Sequence, residues 1–361
     1  MYYFLGMIII ALFIGANMRY GKRSVRKIKK NTLTIEWFVL FAMFIIYVLI
    51  FALESVQSNS DMQNYREAYF SFQFVSSDIW LSKLLEGKDP VYYFMNYVFC
   101  KMGFGFYTWH AFIGLFYSYA IYTLLKRYSS NIYISFIASI SLGSFSFALS
   151  ALRQMIAISF IMFAFRYIEE KKILKFILLT LIATLFHSTA IVFLIAYPLY
   201  RIKLKIRTLF VMVIGMVMVV PMARPIVEFI LPRIGANELY YGYLQSEKSL
   251  SFSGTIISIL ILLFCVVFIL KDSKSAKYHG LCNFAMVSIF FRLLSVFFFA
   301  EMFRLSLYFS IFDTIMIAEA CSCGNSKDKT LIRIKTVIAT FGMMVYYFIS
   351  PAVNILDYVL R

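Results

Sequence analysis

Acidic side chains are scarce in this sequence: 18 Asp and Glu stand against 35 Lys and Arg, and there are only three histidines. Charged residues of both signs make up 15% of the 361 positions, where a soluble domain carries about 25%. So few charges cannot cover a water-facing surface, which excludes a soluble globular protein. Cysteine is sparse too. The five residues (Cys100, Cys265, Cys282, Cys321 and Cys323) are odd in number and lack paired CxxC spacing, which argues against a disulfide framework or a zinc ribbon. Cys321-Ser322-Cys323 reads as two free cytoplasmic thiols. No P-loop, dinucleotide fingerprint, GxSxG or HExxH occurs, so ATP-driven and serine-hydrolase chemistry are disfavoured. No metal or cofactor is expected.

What is abundant is apolar. Hydrophobic residues make up 62% of the chain and the mean hydropathy is +0.80. About twelve apolar runs of span character follow one another, from Tyr2–Met18 through Ile132–Leu149, Thr189–Tyr200, Leu209–Pro221 and Arg304–Ala320 to Ile332–Ile349, and several are shorter than the ~20 residues of a straight span. The expected fold is all-α: a single polytopic membrane bundle over residues 1–361. No polar stretch is long enough for a second domain. The first run precedes the basic segment RYGKRSVRKIKK, the reverse of a cleavable signal peptide, and is expected to be a retained span with its N-terminus outside.

The net charge of +17 does not form one patch, so nucleic acid is not an expected partner. The basic residues fall between apolar runs. Segments 19–30, 126–130, 166–175, 201–207, 271–278 and 325–335 hold 24 of the 35 Lys and Arg, and alternate spans bring them to one side. Positive residues mark cytoplasmic loops. The opposite, outer side then carries the acidic segment Ser55–Asp89 and a second loop over 225–253. The aromatic stretch Pro90–Met102 is half a span long and is expected to lie as a re-entrant or interfacial helix in the outer leaflet, with Tyr92, Tyr93 and Tyr97 at headgroup depth.

Charge within such apolar surroundings is expensive and marks function or a partner. Arg153, His187 and Arg304 all emerge on the outer side. Arg153, followed by Gln154, is either a snorkelling anchor or a bidentate phosphate ligand. His187 interrupts two apolar helices at their outer turn, either as a structural hydrogen-bond donor or as a base. Glu301, Arg304 and Tyr308 fall at i, i+3 and i+7 and can share a helical face. They form either an ordinary Glu–Arg pair or an oriented anion-binding arginine. Arg292 and Asp313 are candidate cavity charges. In the outer acidic segment, Asp61 and Tyr65 are spaced one helical turn apart, and Asp89 precedes Pro90.

In their order and spacing these motifs resemble the EpsG family of exopolysaccharide polymerases, related in role to the Wzy O-antigen polymerases. The matching residues are Asp61 with Tyr65, Asp89-Pro90 before the aromatic half-helix, Arg153-Gln154 with Ile156-Ala157, Phe186-His187-Ser188, and Arg304 with Tyr308-Phe309. Asp89 departs from the Glu expected before the proline. The resemblance implies joining of undecaprenyl-pyrophosphate-linked repeat units into exopolysaccharide, capsule or O-antigen at the outer face of a bacterial cytoplasmic membrane. Partners would be the lipid-linked glycan, the bilayer and other polysaccharide-assembly membrane proteins. It implies pyrophosphate or substrate binding by Arg153, Gln154, Arg304, Tyr308, Tyr65 and Asp89, and acceptor activation by Asp61 or His187. A flippase for lipid-linked sugars and a membrane acyltransferase are the competing expectations.

Overall fold

The computed structural model describes residues 2–19, 33–54, 60–75, 88–230, 252–269, 276–298, 300–323 and 329–350. Most of the expected second outer loop, including Tyr240, Tyr241 and Tyr243, lies outside the described residues, as does most of the first basic segment. Every described element is helical. The helices are α1 (Tyr2–Arg19), α2 (Leu33–Leu53), α3 (Ser60–Ser71), α4 (Pro90–Lys101), α5 (Phe106–Tyr128), α6 (Ile132–Ser141), α7 (Ser144–Ser150), α8 (Leu152–Glu169) and α9 (Ile173–Phe186). They continue with α10 (Ala196–Leu199), α11 (Ile206–Ile230), α12 (Ser253–Ile269), α13 (Ala276–Phe297), α14 (Phe303–Ser310), α15 (Asp313–Ser322) and α16 (Lys329–Ile349).

Among the described residues, four helices are long and apolar enough to cross a membrane: in α2, α11, α13 and α16. The number rises to six if the bent pairs α6/α7 and α14/α15 each make one span. Shorter apolar helices add to these. Several boundaries differ from the sequence expectation for clear reasons. The run Ile132–Leu149 bends by 51° at Gly143, whose φ of +82° suits only a residue without a Cβ. The run from Arg304 to Ala320 bends by 49° between α14 and α15. The run Leu209–Pro221 continues to Ile230 with both Pro221 and Pro225 inside the helix. The segment Thr189–Tyr200 begins as a 3-10 helix (Ser188–Ile195) before α10. The outer segment contains α3 rather than only loop.

The chain divides into two compact units, Met1–Leu194 with Asn325–Arg361, and Ile195–Gly324. In the first unit, α2 packs on α5, α5 on α8 and α8 on α9, while α16 closes against α1 and α6. Gly114 permits the α2–α5 approach, because a Cβ there would sit 2.3 Å from the Cβ of Phe51. The packed helices α2, α5, α8 and α9 sort their charges to opposite ends. At one end Glu170 pairs with Arg127, Arg166 and Lys172, and Lys126 stands 4.0 Å over the ring of Trp37. The other end holds Glu54, His110, Arg153 and His187.

That second end is built on an aromatic core. Met62 and Tyr69 from α3, Tyr92 and Cys100 from α4, Phe106, Trp109 and Ile113 from α5, and Leu152 and Ile156 from α8 pack together. Both ends of α4 are held there, Asp89 against the first turn of α8 and Cys100 beside the first turn of α5. Its 12 residues span about 18 Å at 1.5 Å per residue, too short to cross a bilayer core. α4 therefore lies along one end of the unit.

The second unit packs α11, α12, α14 and α15 around α13. Asn283 on α13 donates to the carbonyls of Leu199 and Ile202, each at 2.8 Å, and so caps the end of α10.

Candidate functional site

The site grows out of one strained residue. Asp89 is the N-cap of α4 and adopts φ 61°, ψ 52°. Pro90 follows it, and a proline disfavours the right-handed α region for the residue before it. A non-glycine residue in the left-handed region costs on the order of 1 kcal/mol and needs surroundings that impose it. Asp at an N-cap ordinarily accepts from its own helix. Here the side chain makes no such bond. It turns instead to three donors from distant helices. Arg153 Nη1 donates to Oδ2 at 2.8 Å, His187 Nδ1 lies 3.2 Å from the same oxygen, and the backbone N–H of Ser188 donates to Oδ1 at 2.8 Å.

The Asp89 side chain is 2% exposed, against 26% for Arg153 and 13% for His187. Burial alone would push the Asp89 carboxyl upward. The His187 hydrogen bond and charge, the Ser188 N–H and the Arg153 guanidinium together outweigh burial and hold it below the usual carboxylate range.

Each partner is delivered by a helix end. Arg153 is the second residue of α8, where the helix dipole disfavours a cation by about 0.3–1 kcal/mol, so the position is not chosen for helix stability. Its Cζ lies 5.8 Å from the ring centre of Tyr65 and 5.9 Å from that of Tyr93. The Tyr93 hydroxyl is 3.5 Å from Nη1. Arg153 Nε is buried without a hydrogen-bond partner. His187 is the extended residue (φ −154°, ψ 111°) that ends α9. Phe176 before the break and Phe193 after it bring their rings to 5.9 Å, so the chain doubles back at His187, as the expected hairpin does.

The structure thus joins Asp89, Arg153, His187 and Tyr65 at one place. Gln154 is buried on α8, and Asp61 is exposed in the first turn of α3. The remaining candidates belong to the second unit. There Arg304 is exposed on α14, Tyr308 is fully buried and Glu301 is half-buried in a 3-10 turn. Arg292 stands 4.9 Å over the ring of Phe303 and is the charged group acting on buried Asp313 at the start of α15. That unit also has an apolar cavity of about 460 Å³ between α10, α11 and α13, lined by Pro198, Met212, Met216 and Phe290 among others. Its walls offer no polar group for chemistry. All five cysteines are buried and free. Among the described residues no group of three or more His, Cys, Asp or Glu is arranged to hold a metal ion.

Two participants, and a second buried pair at the same end, were not visible in the sequence. Tyr93 looked like a membrane-interface aromatic, and the Ser188 N–H has no side-chain signature. Glu54 and His110 form a pair at 3.3 Å with both side chains fully buried. His110 stacks on Phe106 at an interplanar angle of 3°, directly behind the aromatic core. An acidic residue closing the apolar run of α2 was the one available clue.

An all-helical membrane protein with a buried carboxylate joining an arginine and a histidine at one end of its bundle is the class these features define. The sequence matches the EpsG family over residues 37–360. The chain belongs to that family, which is of the Wzy-like polymerase type. No curated protein and no solved structure matches it.

Proposed function

We propose that this protein polymerises lipid-linked oligosaccharide repeat units at the outer face of the bacterial cytoplasmic membrane, using an undecaprenyl-pyrophosphate-linked donor. Family membership supports a polymerase-type glycosyl transfer in exopolysaccharide synthesis. The observation that carries the finer reading is Arg153 itself. Asp89 holds one edge of its guanidinium, while the side chain stays 26% exposed as a cation at the end of an apolar bundle. That is where the head of a membrane-anchored pyrophosphate arrives. The acceptor hydroxyl attacks the anomeric carbon of the donor glycan, and the bond from that carbon to the pyrophosphate oxygen breaks. Arg153 neutralises the charge that develops on the departing pyrophosphate. The surrounding chain would cross the bilayer about twelve times, its shorter and broken apolar helices included. The loop-charge count supports an Asp89 end outside and a Glu170 end in the cytoplasm.

The test is turnover by the purified chain in lipid nanodiscs, given lipid-pyrophosphate-linked repeat units. It should release polyprenyl pyrophosphate and build longer glycans without nucleotide or ion gradient. A carrier remains the second reading, because the bent α14/α15 pair with buried Asp313 is the kind of discontinuous helix that transporters use. Passage of intact lipid-linked units across vesicles, with no chain growth, would establish it instead.

A further inference from the structure

We infer that His187 is the general base of this polymerisation, acting through Nε2, and that Asp89 positions it rather than touching substrate. The inference rests on the polymerase reading above. Asp89 accepts from Arg153, His187 and the Ser188 N–H, and its side chain is 2% exposed, so no surface is left for a sugar or a phosphate. An ionised carboxylate only accepts hydrogen bonds, so the neutral imidazole carries its proton on Nδ1 and its lone pair on Nε2. Among the described residues Nε2 makes no hydrogen bond, and the His187 side chain keeps 13% of its surface exposed, so Nε2 is the ring nitrogen left for a substrate hydroxyl.

The backbone N–H next to His187 is tied to the same carboxylate, which fixes both the ring and its peptide. Among the described residues, the charged groups in contact with His187 or with its carboxylate partner are Asp89 and Arg153, with the Tyr65 and Tyr93 rings around the guanidinium. Arg153 Nη1 and His187 Nδ1 touch one oxygen at 2.8 and 3.2 Å, so base and pyrophosphate ligand flank one place. Asp61 is exposed in the first turn of α3, and among the described residues no hydrogen bond or ion pair fixes its carboxylate in an attacking geometry.

In the step itself, the proton of the acceptor hydroxyl passes to Nε2, and the oxygen lone pair forms the new bond to the anomeric carbon. The electron pair of the broken carbon–oxygen bond leaves on the pyrophosphate. The imidazolium is stabilised by Asp89 and later returns its proton to solvent.

The test is the pH–rate profile of the full chain in nanodiscs, with release of polyprenyl pyrophosphate as readout and thermal unfolding to check the fold. His187→Gln is expected to lower kcat by roughly 10²–10⁴-fold and to flatten the acid limb of the profile. Asp89→Asn is expected to lower kcat and displace that limb, because the carboxylate that holds Nδ1 is gone. Asp89→Glu, which keeps the charge but displaces it, should leave the limb nearer its original position. A purely structural cluster would lower activity without moving the limb. His187→Gln within threefold of wild type, or loss of the acid limb in Asp61→Asn instead, overturns the base assignment. An unmoved limb in folded Asp89→Asn overturns the positioning role. A wild type that releases no polyprenyl pyrophosphate at any pH sinks the polymerase reading and this inference with it.

Discussion

Replacing Arg153 by lysine keeps the charge and removes the fork, which separates a phosphate ligand from a membrane anchor. In the structure Nη1 is committed to Asp89 at 2.8 Å, with the Tyr93 hydroxyl at 3.5 Å, so the pyrophosphate must be met by the rest of the guanidinium. A lysine brings a single ammonium. It pairs with Asp89 or turns to the phosphate, and its point charge does not reproduce two fixed donor directions. Loss of one charge-assisted hydrogen bond of about 1.5–3 kcal/mol from the transition state corresponds to roughly 10- to 150-fold in kcat/KM. The fold should survive, because the site retains a cation, Asp89 keeps His187 and Ser188 as partners, and the replaced side chain is already 26% exposed. The assay is the initial rate of polyprenyl pyrophosphate release at varied donor concentration, alongside thermal unfolding. Arg153→Lys turning over within twofold of wild type would falsify the phosphate role and leave Arg153 an anchor.

Acid should loosen the Asp89 end of the first unit. The Asp89 carboxyl is held below its ordinary value, so its contribution is fully present above the unfolded carboxyl value of about 3.9 and is lost as pH falls through the folded one. Asp89→Asn should therefore flatten the stability–pH curve below about pH 4, and an unchanged curve would argue against the ion cluster. Glu54→Leu should destabilise by about 3 kcal/mol, since it removes the acidic partner of a fully buried His110. Adding His110→Phe should recover most of that loss, and equal unfolding temperatures for the single and double variants would contradict a coupled pair. Gly114→Ala sets a Cβ 2.3 Å from Phe51 and should cost about 1–3 kcal/mol by overpacking α2 against α5. A thermal midpoint unchanged from wild type would mean that the two helices separate freely.

What the sequence showed of the site was the expense of its charges. Arg153 and His187 stand out because apolar runs end at them, and the structure brings them to one carboxylate. The carboxylate's role was harder to see. Asp89 looked like a substrate ligand in an exposed acidic loop, yet it is shut in by partners 64 and 98 residues away in sequence. No local pattern encodes such a contact. Tyr93 was hidden for a different reason: an aromatic at a membrane interface needs no further explanation, so its approach to the guanidinium has no signature of its own. Helix breaks were legible only where the backbone demanded a special residue. Gly143 marks one bend by its positive φ. Pro221 and Pro225 mark no break at all in α11, because lipid-facing helices tolerate proline when the freed backbone groups find other partners.

The placement of α4 ties charge counting to geometry. Taken as a full span, Pro90–Lys101 would reverse the direction of every later helix, and the basic segments after it would face outward. The packing requires otherwise. Trp37 starts α2 beside Lys126 at the end of α5, and Arg127 at that same end meets Glu170 at the end of α8. Lys172, just before α9, joins them. Glu54 at the end of α2 meets His110 at the start of α5, and Arg153 at the start of α8 meets His187 at the end of α9 through Asp89. Four helices agree on two ends, and α4 begins and finishes at the end that lacks the basic segments. A helix that returns to the end where it began adds no crossing. Helix α3 before it and the arginine and histidine after it therefore share one side of the unit, and the Asp89 cluster can form only because α4 does not span.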